Sequence, residues 1–356
     1  MNISSDALCR LVTAIFGKAG CNDGEAAAIG RHLVDANMVG HDSHGVIRIP
    51  LYVQWIDDGI VVPNQSITVA FENDSLAIVD GNCGFGQVIG EQAVDLGIEK
   101  AKKSGVAVIG LRNTGHIGRI GDWAIRAADA GLVSVHFVNS TGAGILVAPF
   151  GGSDRRLSAN PIAAGVPVKG GKPMVLDMST CVIAEGKIKV ALNKGEELPE
   201  NAIIDGHGQP TTSPEAFYRE PVGAILTIAG HKGYGLSVLC EILAGSLTGG
   251  GSSHPDNPNA KGFLNSMMSI YFDPDKLVGE AFAGDVERLI GWVKASPPLT
   301  PGGKILMPGE PEDATRTERE AGGIPLDAMT WTQILDTAQK LGIDSDAVET
   351  IIARAA

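Results

Sequence analysis

The sequence predicts an α/β protein that opens with a lobe of helices. Three observations predict it. Through residue 60 the apolar residues recur at helical i, i+3, i+4 spacing. From about residue 68 short apolar runs alternate with helical stretches. The end of the chain returns to helical spacing. Composition agrees: the 356 residues are 44% hydrophobic and 19% charged, enough for a sizeable core and too apolar for general disorder.

Ser4 or Ser5 caps a first helix with Leu8, Leu11, Val12, Ile15 and Phe16 inward, ending at Gly20. Asn22 caps a second, with Ile29, Leu33 and Ala36 inward and Gly40 as its stop. A third passes through Val53 and Ile56 to the Asp57-Asp58-Gly59 turn. Then follow a strand at Leu76–Asp80, a helix at Gly86–Ser104, a strand at Val106–Gly110, a helix at Arg119–Gly131 and a strand at Leu132–Val138. Later strands are expected at Pro173–Leu176, Ala224–Ile228 and Met267–Phe272. The stretches Ser140–Pro173 and Asn193–Pro221 read as loops, which in a compact chain are often functional. Helices at Val286–Val293 and Thr330–Leu341 and a last short one close the chain. The boundaries implied lie at 1–67, 68–280 and 281–356.

The formal net charge of −13 argues against a nucleic-acid or anionic-membrane partner. The five cysteines are scattered without CxxC spacing, which suits reduced thiols in a cytoplasmic protein. Residues 1–10 do not read as a signal peptide, and the longest apolar stretch, Leu236–Leu247, is cut by Glu241 and Gly245.

The densest chemistry lies in Gly40-His41-Asp42-Ser43-His44-Gly45 and the Val46-Ile47-Arg48-Ile49-Pro50-Leu51-Tyr52 that follows. Arg48 can clamp a carboxylate and His44 can manage a proton, a pairing that suits an anionic oxo acid. Helical geometry from Ser43 onward would put His44, Arg48 and Tyr52 on one stripe. Pro50 instead favours a helix starting near Ile49, with His44 on the loop before it. The plainer alternative is a helix cap whose polar groups pair on the surface.

Gly84-Phe-Gly86-Gln-Val-Ile-Gly90 follows a strand and opens a helix, as a dinucleotide fingerprint does. Its spacing is GxGxxxG, however, and no acidic residue ends the next strand at Gly110–Asn113, so it reads as a helix–strand junction. Better anion sites lie elsewhere. Asn113-Thr-Gly-His116-Ile-Gly118-Arg119-Ile120-Gly121 opens a helix, offering Arg119 and free backbone N–H groups, with His116 a second proton-transfer candidate. Asp177-Met178-Ser179-Thr180 carries a carboxylate and hydroxyls suited to a ribose. Gly230-His231-Lys232-Gly233-Tyr-Gly235 precedes an apolar helix and puts Lys232 where a phosphate could dock. Met307-Pro308-Gly309-Glu310 is a turn into a polar helix. His41 and His44 lack a third metal ligand nearby, so no metal site is expected, and no GxSxG, Walker or HExxH motif appears. Residue chemistry alone therefore gives a cytoplasmic α/β enzyme with a nucleotide-sized anion site and a His/Arg substrate site, or a metabolite-binding protein without turnover.

These motifs, taken in order, resemble the type-2 malate/L-lactate dehydrogenase family. The resemblance rests on His41-Asp-Ser-His44-Gly…Arg48-Ile-Pro…Tyr52, Gly115-His116-Ile-Gly-Arg119, Asn160-Pro-Ile-Ala163, Asp177–Thr180 and Gly186-Lys187. His231-Lys-Gly-Tyr-Gly235, Pro308-Gly-Glu310 and Gly323-Ile-Pro-Leu326 extend it over essentially the whole chain. The surroundings of Ala295-Ser-Pro297 and Gly309-Glu310 are most similar to the hydroxycarboxylate dehydrogenase branch. Sulfolactate, ureidoglycolate and diketogulonate enzymes and reducers of cyclic imino acids are relatives within the family.

The resemblance implies a non-Rossmann fold, a mixed and largely antiparallel sheet wrapped by helices, with 68–280 binding cofactor and 281–356 packing back on the lobe of 1–67. It implies a homodimer and NAD- or NADP-linked interconversion of a 2-hydroxy acid and its 2-oxo acid. Carried over by position, His44 exchanges the proton with the 2-oxygen, a role His116 takes in some readings of the family. Arg48 holds the carboxylate, with Ser43 and Tyr52 lining the pocket. His44, Gly118–Ile120, Asp177–Cys181, Lys232, Asn265 and Met307–Glu310 contact the cofactor. Two departures stand near that site: Ser158-Ala159 where many relatives carry Gly-Thr, and Cys181 where they often carry a small hydroxyl or Ala.

Overall fold

The computed structural model describes residues 1–257 and 262–353. It begins with β1 (Asn2–Ile3), α1 (Ser5–Lys18), α2 (Asp23–Met38) and α3 (Ile49–Asp57). The Ser4 and Asn22 side chains accept from Ala7 N and Glu25 N, so both expected caps form. Next come β2 (Thr68–Glu72), β3 (Leu76–Asp80), α4 (Gly86–Ser104), β4 (Val106–Thr114), α5 (Gly121–Asp129), β5 (Val133–Ser140), β6 (Ile162–Val166) and β7 (Met174–Met178). Then α6 (Glu185–Lys194), β8 (Ile203–Ile204), β9 (Pro210–Thr211), α7 (Glu215–Tyr218) and β10 (Ala224–Ile225) form a small satellite. It is followed by α8 (His231–Cys240), which runs on as a π-helix over Glu241–Ser246, then β11 (Asn265–Phe272), α9 (Pro274–Leu277) and α10 (Ala281–Lys294). The chain ends in α11 (Glu310–Gly322), β12 (Ile324–Pro325), α12 (Ala328–Lys340) and α13 (Ser345–Ala353).

The main sheet has seven strands in the order β2-β3-β4-β11-β5-β6-β7. Among them β3 and β4 pair in parallel through the α4 crossover and the other neighbours pair antiparallel. This is the mixed, largely antiparallel sheet the family resemblance implies. Alternation along β4 turns Ala107, Ile109 and Leu111 toward α4 and α5, where Ile89, Val94, Trp123 and Ala124 meet them in one core. The glycines of the GxGxxxG run serve that packing. A Cβ on Gly86 would lie 2.3 Å from the His116 carbonyl oxygen, and one on Gly90 would lie 2.5 Å from the Trp123 ring. A second core unites the two ends of the chain: Leu8, Leu11, Ile15, Ile29, Leu33 and Tyr52 pack with Ile334, Ala338, Ile343 and Val348.

The fold differs from the sequence reading in several places: β2 precedes the first expected strand, and β8, β9 and α7 lie inside the expected loop Asn193–Pro221. The stretch Ser140–Pro173 contains β6, whose Ile-Ala-Ala-Gly-Val sequence lies between neighbours on both edges and is covered by α5. Such a strand carries no polar–apolar alternation to detect. In addition, His231 and Lys232 stand in the first turn of α8 and not before it.

The lobe is tied to the helices over the sheet by a half-buried charge chain. His32 of α2 lies 3.1 Å from Asp122 of α5 through Nδ1 and 3.2 Å from Glu91 of α4 through Nε2. Burial opposes the imidazolium, but the two carboxylates outweigh it and raise His32 to about 9. A raised histidine stabilises fully below its unfolded value near ~6.5 and loses that contribution as pH rises through the folded one. His32→Gln is therefore expected to cost at most about 3 kcal/mol near pH ~6. The gap should narrow as pH rises beyond the unfolded value and be nearly closed above pH 9. Urea midpoints at the two pH values test this, and a gap independent of pH would show that the protonated ring is not the source.

Candidate active site

The Gly40–Tyr52 segment does not form one helix. Gly40 turns the chain at φ +84°, two 3-10 turns follow at Asp42–His44 and Val46–Arg48, and α3 starts at Ile49 with Pro50 in its first turn. His44 thus stands on the loop, as Pro50 suggests. That loop is pinned from two sides. Asn37 donates to Asp42 Oδ1 at 2.6 Å and accepts from Val46 N at 2.9 Å. Arg319 of α11 forks onto the Asp42 carboxylate at 2.6 and 3.0 Å. Gly45 is required here, because a Cβ would come 2.1 Å from Asn37 Oδ1.

What brings His44, Arg48 and Tyr52 together is His116, from the loop between β4 and α5. The His44 and His116 rings stack with centroids 5.5 Å apart and planes 20° apart. The Tyr52 hydroxyl lies 2.5 Å from His116 Nδ1 and receives a hydrogen bond from Gln87 Nε2 at 3.2 Å. Ser43 Oγ lies 3.1 Å from His44 Nδ1, and Arg48 Nε donates to the Ser43 carbonyl at 2.7 Å. Phe263 closes the far side, edge-on to His116 at 5.7 Å and stacked on Trp55 at 5.1 Å. Burial, and after it the Arg48 charge, lowers His44 to about 3 and puts His116 well below the usual imidazole range. Burial raises Tyr52 to about 12. Near neutral pH the recess therefore holds two neutral imidazoles, a protonated phenol and a cationic guanidinium.

The expected anion-binding segments form an arc beside this recess. Asp177, at the end of β7, accepts from Gly121 N at 2.9 Å and lies 3.4 Å from Arg119 Nε. The Met307–Glu310 turn lies against β7, with Val175 N donating to the Pro308 carbonyl at 3.1 Å. His41 stands between Asp177 and α11, 3.9 Å from Asp177 Oδ2 and 3.4 Å from Glu312 Oε1. Ser179 and Thr180 hydroxyls both donate to the Ala159 carbonyl, at 3.0 and 2.9 Å, which ties Asp177–Cys181 to the Ser158-Ala159 loop. Ile228 N donates to the Thr180 carbonyl at 2.9 Å, setting the start of α8, and exposed Lys232 with it, next to that strand end. Asn265 accepts from Ile117 N at 3.0 Å and donates to Ser140 Oγ at 2.7 Å, so its amide organises the His116 loop.

One expectation for this arc needs correction. The sequence offered the Arg119 guanidinium and the open N-terminus of α5 to a phosphate. In the structure Arg119 is buried and pairs with Asp122 at 2.8 Å as well as with Asp177, and the Asp177 carboxylate already caps Gly121. A buried arginine turns toward carboxylates because its charge has no water to meet. What the loop still presents is backbone, with Gly118 at φ +70°.

Sequence reasoning missed Gln87 and Phe263. Gln87 lies inside the glycine run that was read as a junction, and a polar side chain in the buried first turn of α4 was the available signal. Phe263 carries no local signal, since only the tertiary fold brings it to His116.

A family model described as malate/L-lactate dehydrogenase matches residues 3–335 of this chain. The chain is 41% identical to hydroxycarboxylate dehydrogenase B of Escherichia coli O157:H7 over 342 residues, covering 95% of this chain and 94% of that one. Its fold is similar to that of an Escherichia coli protein described as a candidate malate/lactate dehydrogenase, with a TM-score of 0.93 at 40% identity, covering 99% and 98% of the two chains. It is also similar to sulfolactate dehydrogenase from Methanocaldococcus jannaschii, with a TM-score of 0.87 at 31% identity over 98% and 99%.

Proposed function

The chain belongs to the malate/L-lactate dehydrogenase family, and from that premise we propose that it interconverts a small 2-hydroxycarboxylate and its 2-oxocarboxylate with NAD or NADP as the hydride partner. The activity class, an oxidoreductase of hydroxy acids, follows from the family. The observation that supports the specific chemistry is the stacked His44–His116 pair beside Arg48.

A nicotinamide dinucleotide suits the arc on three counts. Gln87 Oε1 is buried with no partner among the described residues, an unmet acceptor for an amide donor. Gly118 adopts a left-handed backbone against the Gln87 amide, and Lys232 is exposed in the first turn of a helix. Residues Gly118–Ile120, Asp177–Cys181, Lys232 and Met307–Glu310, with His44 and Asn265 alongside, would hold it. When bound, the cofactor supplies or accepts a hydride at the 2-carbon of the substrate.

The remaining chemistry belongs to this chain. Arg48 holds the substrate carboxylate by charge-assisted hydrogen bonds, with Ser43 and Tyr52 lining the recess. In the oxidative direction neutral His44 accepts the proton of the 2-hydroxyl. In the reductive direction protonated His44 returns it to the oxygen as negative charge develops there. The substrate carboxylate cancels the Arg48 charge, the second of the causes that depress His44. Binding therefore raises the proton affinity of His44 when the proton is needed.

The testing experiment mixes the protein with NADH or NADPH and a panel of oxo acids, following the absorbance of the reduced cofactor. Pyruvate, oxaloacetate, sulfopyruvate, phenylpyruvate and a cyclic imino acid make the panel. Cofactor oxidation with one or more is the expected result. Binding without turnover across the panel would favour a metabolite-binding protein.

The working form is proposed to be a homodimer. No residue of α10 is buried, and Leu289 and Trp292 on it are 54% and 80% exposed, with Leu277 and Val278 at 62% and 60% just before it. Apolar surface of this extent marks an association face. A solution mass of about twice 36.9 kDa is expected from light scattering, and a monomer at micromolar concentration would remove the reading. Five free cysteines favour a reducing, cytoplasmic setting. Among the described residues no helix is long and apolar enough to cross a membrane.

A further inference from the structure

The stacked histidines are not equivalent, and the difference originates in Gln87. Gln87 is fully buried in the first turn of α4. Its Nε2 donates to the Tyr52 hydroxyl oxygen at 3.2 Å. The reverse orientation of the amide would leave two buried N–H donors without an acceptor, which is costly. Around Tyr52 stand the apolar rings of Phe16, Phe85 and Trp55, with centroids 6.4, 6.1 and 5.4 Å away. Its hydroxyl thus has Gln87 and His116 as polar partners among the described residues.

A phenol has one proton to give. With its oxygen receiving the Gln87 N–H, that proton is directed at the other neighbour, His116 Nδ1, 2.5 Å away. A neutral imidazole that accepts at Nδ1 carries its single hydrogen on Nε2. His44 is held differently. Its Nδ1 meets the Ser43 hydroxyl at 3.1 Å, a rotor that can donate or accept. His44 can therefore gain and lose a proton without a clash of donors, whereas a proton added to Nε2 of His116 would find no lone pair there.

We propose that Gln87, acting through Tyr52, is a positioning residue that locks His116 as the Nε2–H tautomer, so that His116 is a fixed hydrogen-bond donor to the substrate 2-oxygen and His44 carries the proton. The tautomer is a property of the free protein. Its consequence for turnover rests on the dehydrogenase reading above.

The two are separated by nitrogen NMR of the full-length protein labelled with ¹⁵N-histidine, with His116 assigned by comparison with His116→Asn. The wild-type protein is expected to show His116 protonated at Nε2 and unprotonated at Nδ1 from neutral to mildly alkaline pH. Gln87→Met, close in shape but without the donor, and Tyr52→Phe are each expected to yield a mixture of tautomers. In the cofactor assay, at saturating cofactor, Gln87→Met should lower kcat about 10-fold with KM for the oxo acid within about 2-fold, the pattern of a lost orienting partner. A wild-type His116 protonated at Nδ1, or a tautomer unchanged in Tyr52→Phe, would overturn the proposal whether or not any oxo acid is turned over. Should Gln87→Met fail to fold, Gln87→Leu takes its place, and a His116 tautomer unchanged in the folded Gln87 variant would overturn the role of Gln87. If the tautomers behave as expected and no substrate of the panel reacts, the functional reading fails instead.

Discussion

Replacing His44 by Asn is expected to lower kcat by about 10²–10⁴-fold while cofactor still binds, the range for loss of a positioned general acid–base. Asn keeps a polar group of similar reach but cannot exchange a proton near neutrality. The loss should therefore appear in kcat and kcat/KM together, as for an interaction made in the transition state. The free protein holds His44 neutral, at about 3. Its base form is thus available for hydroxy-acid oxidation across the ordinary pH range, and activity in that direction should show no acid limb from His44 near pH ~6 in the free enzyme. A His44→Asn protein with near wild-type turnover would move the proton to His116 and remove the division of labour between the rings. Cofactor affinity measured by fluorescence guards against a merely misfolded site.

Arg48→Gln is the second large effect, and it should fall mainly on substrate affinity. A hydrogen bond to a charged group contributes about 1.5–3 kcal/mol, so KM for the oxo acid should rise about 10–100-fold. The same change should move the pH profile. Arg48 is the leading charge among the causes that depress both His44 and His116. Without it both imidazoles protonate at higher pH than before, so the acid limb for oxidation moves upward. Arg48→Lys keeps the charge and loses the fork, so it should restore the pH profile more fully than KM. An unchanged KM in Arg48→Gln would place the carboxylate elsewhere.

Much of the fold is legible in the sequence because its signals are local. Ser4 and Asn22 cap the helices they announce, α4 follows the helical reading from Gly86 to Ser104, and Pro50 fixes where α3 can start. The density of polar groups at 41–52 likewise marks the recess. β6 was not legible, since a strand paired on both edges and covered by a helix carries no alternation to read. Arg119 illustrates the other limit. A helix start with an arginine looks the same in sequence whether the side chain faces a ligand or turns inward to Asp122 and Asp177.

The residue types of the site, most of the helices and the likeness to a dehydrogenase family can be read directly from the chain, because capping, periodicity and motif order are local. Which histidine faces which partner depends instead on contacts made across the folded chain. Tyr52 and His116 are 64 residues apart and Gln87 stands 35 residues from Tyr52. Their hydrogen bonds exist because Gly86 lets α4 lie against the His116 loop, a close approach that no local signal encodes.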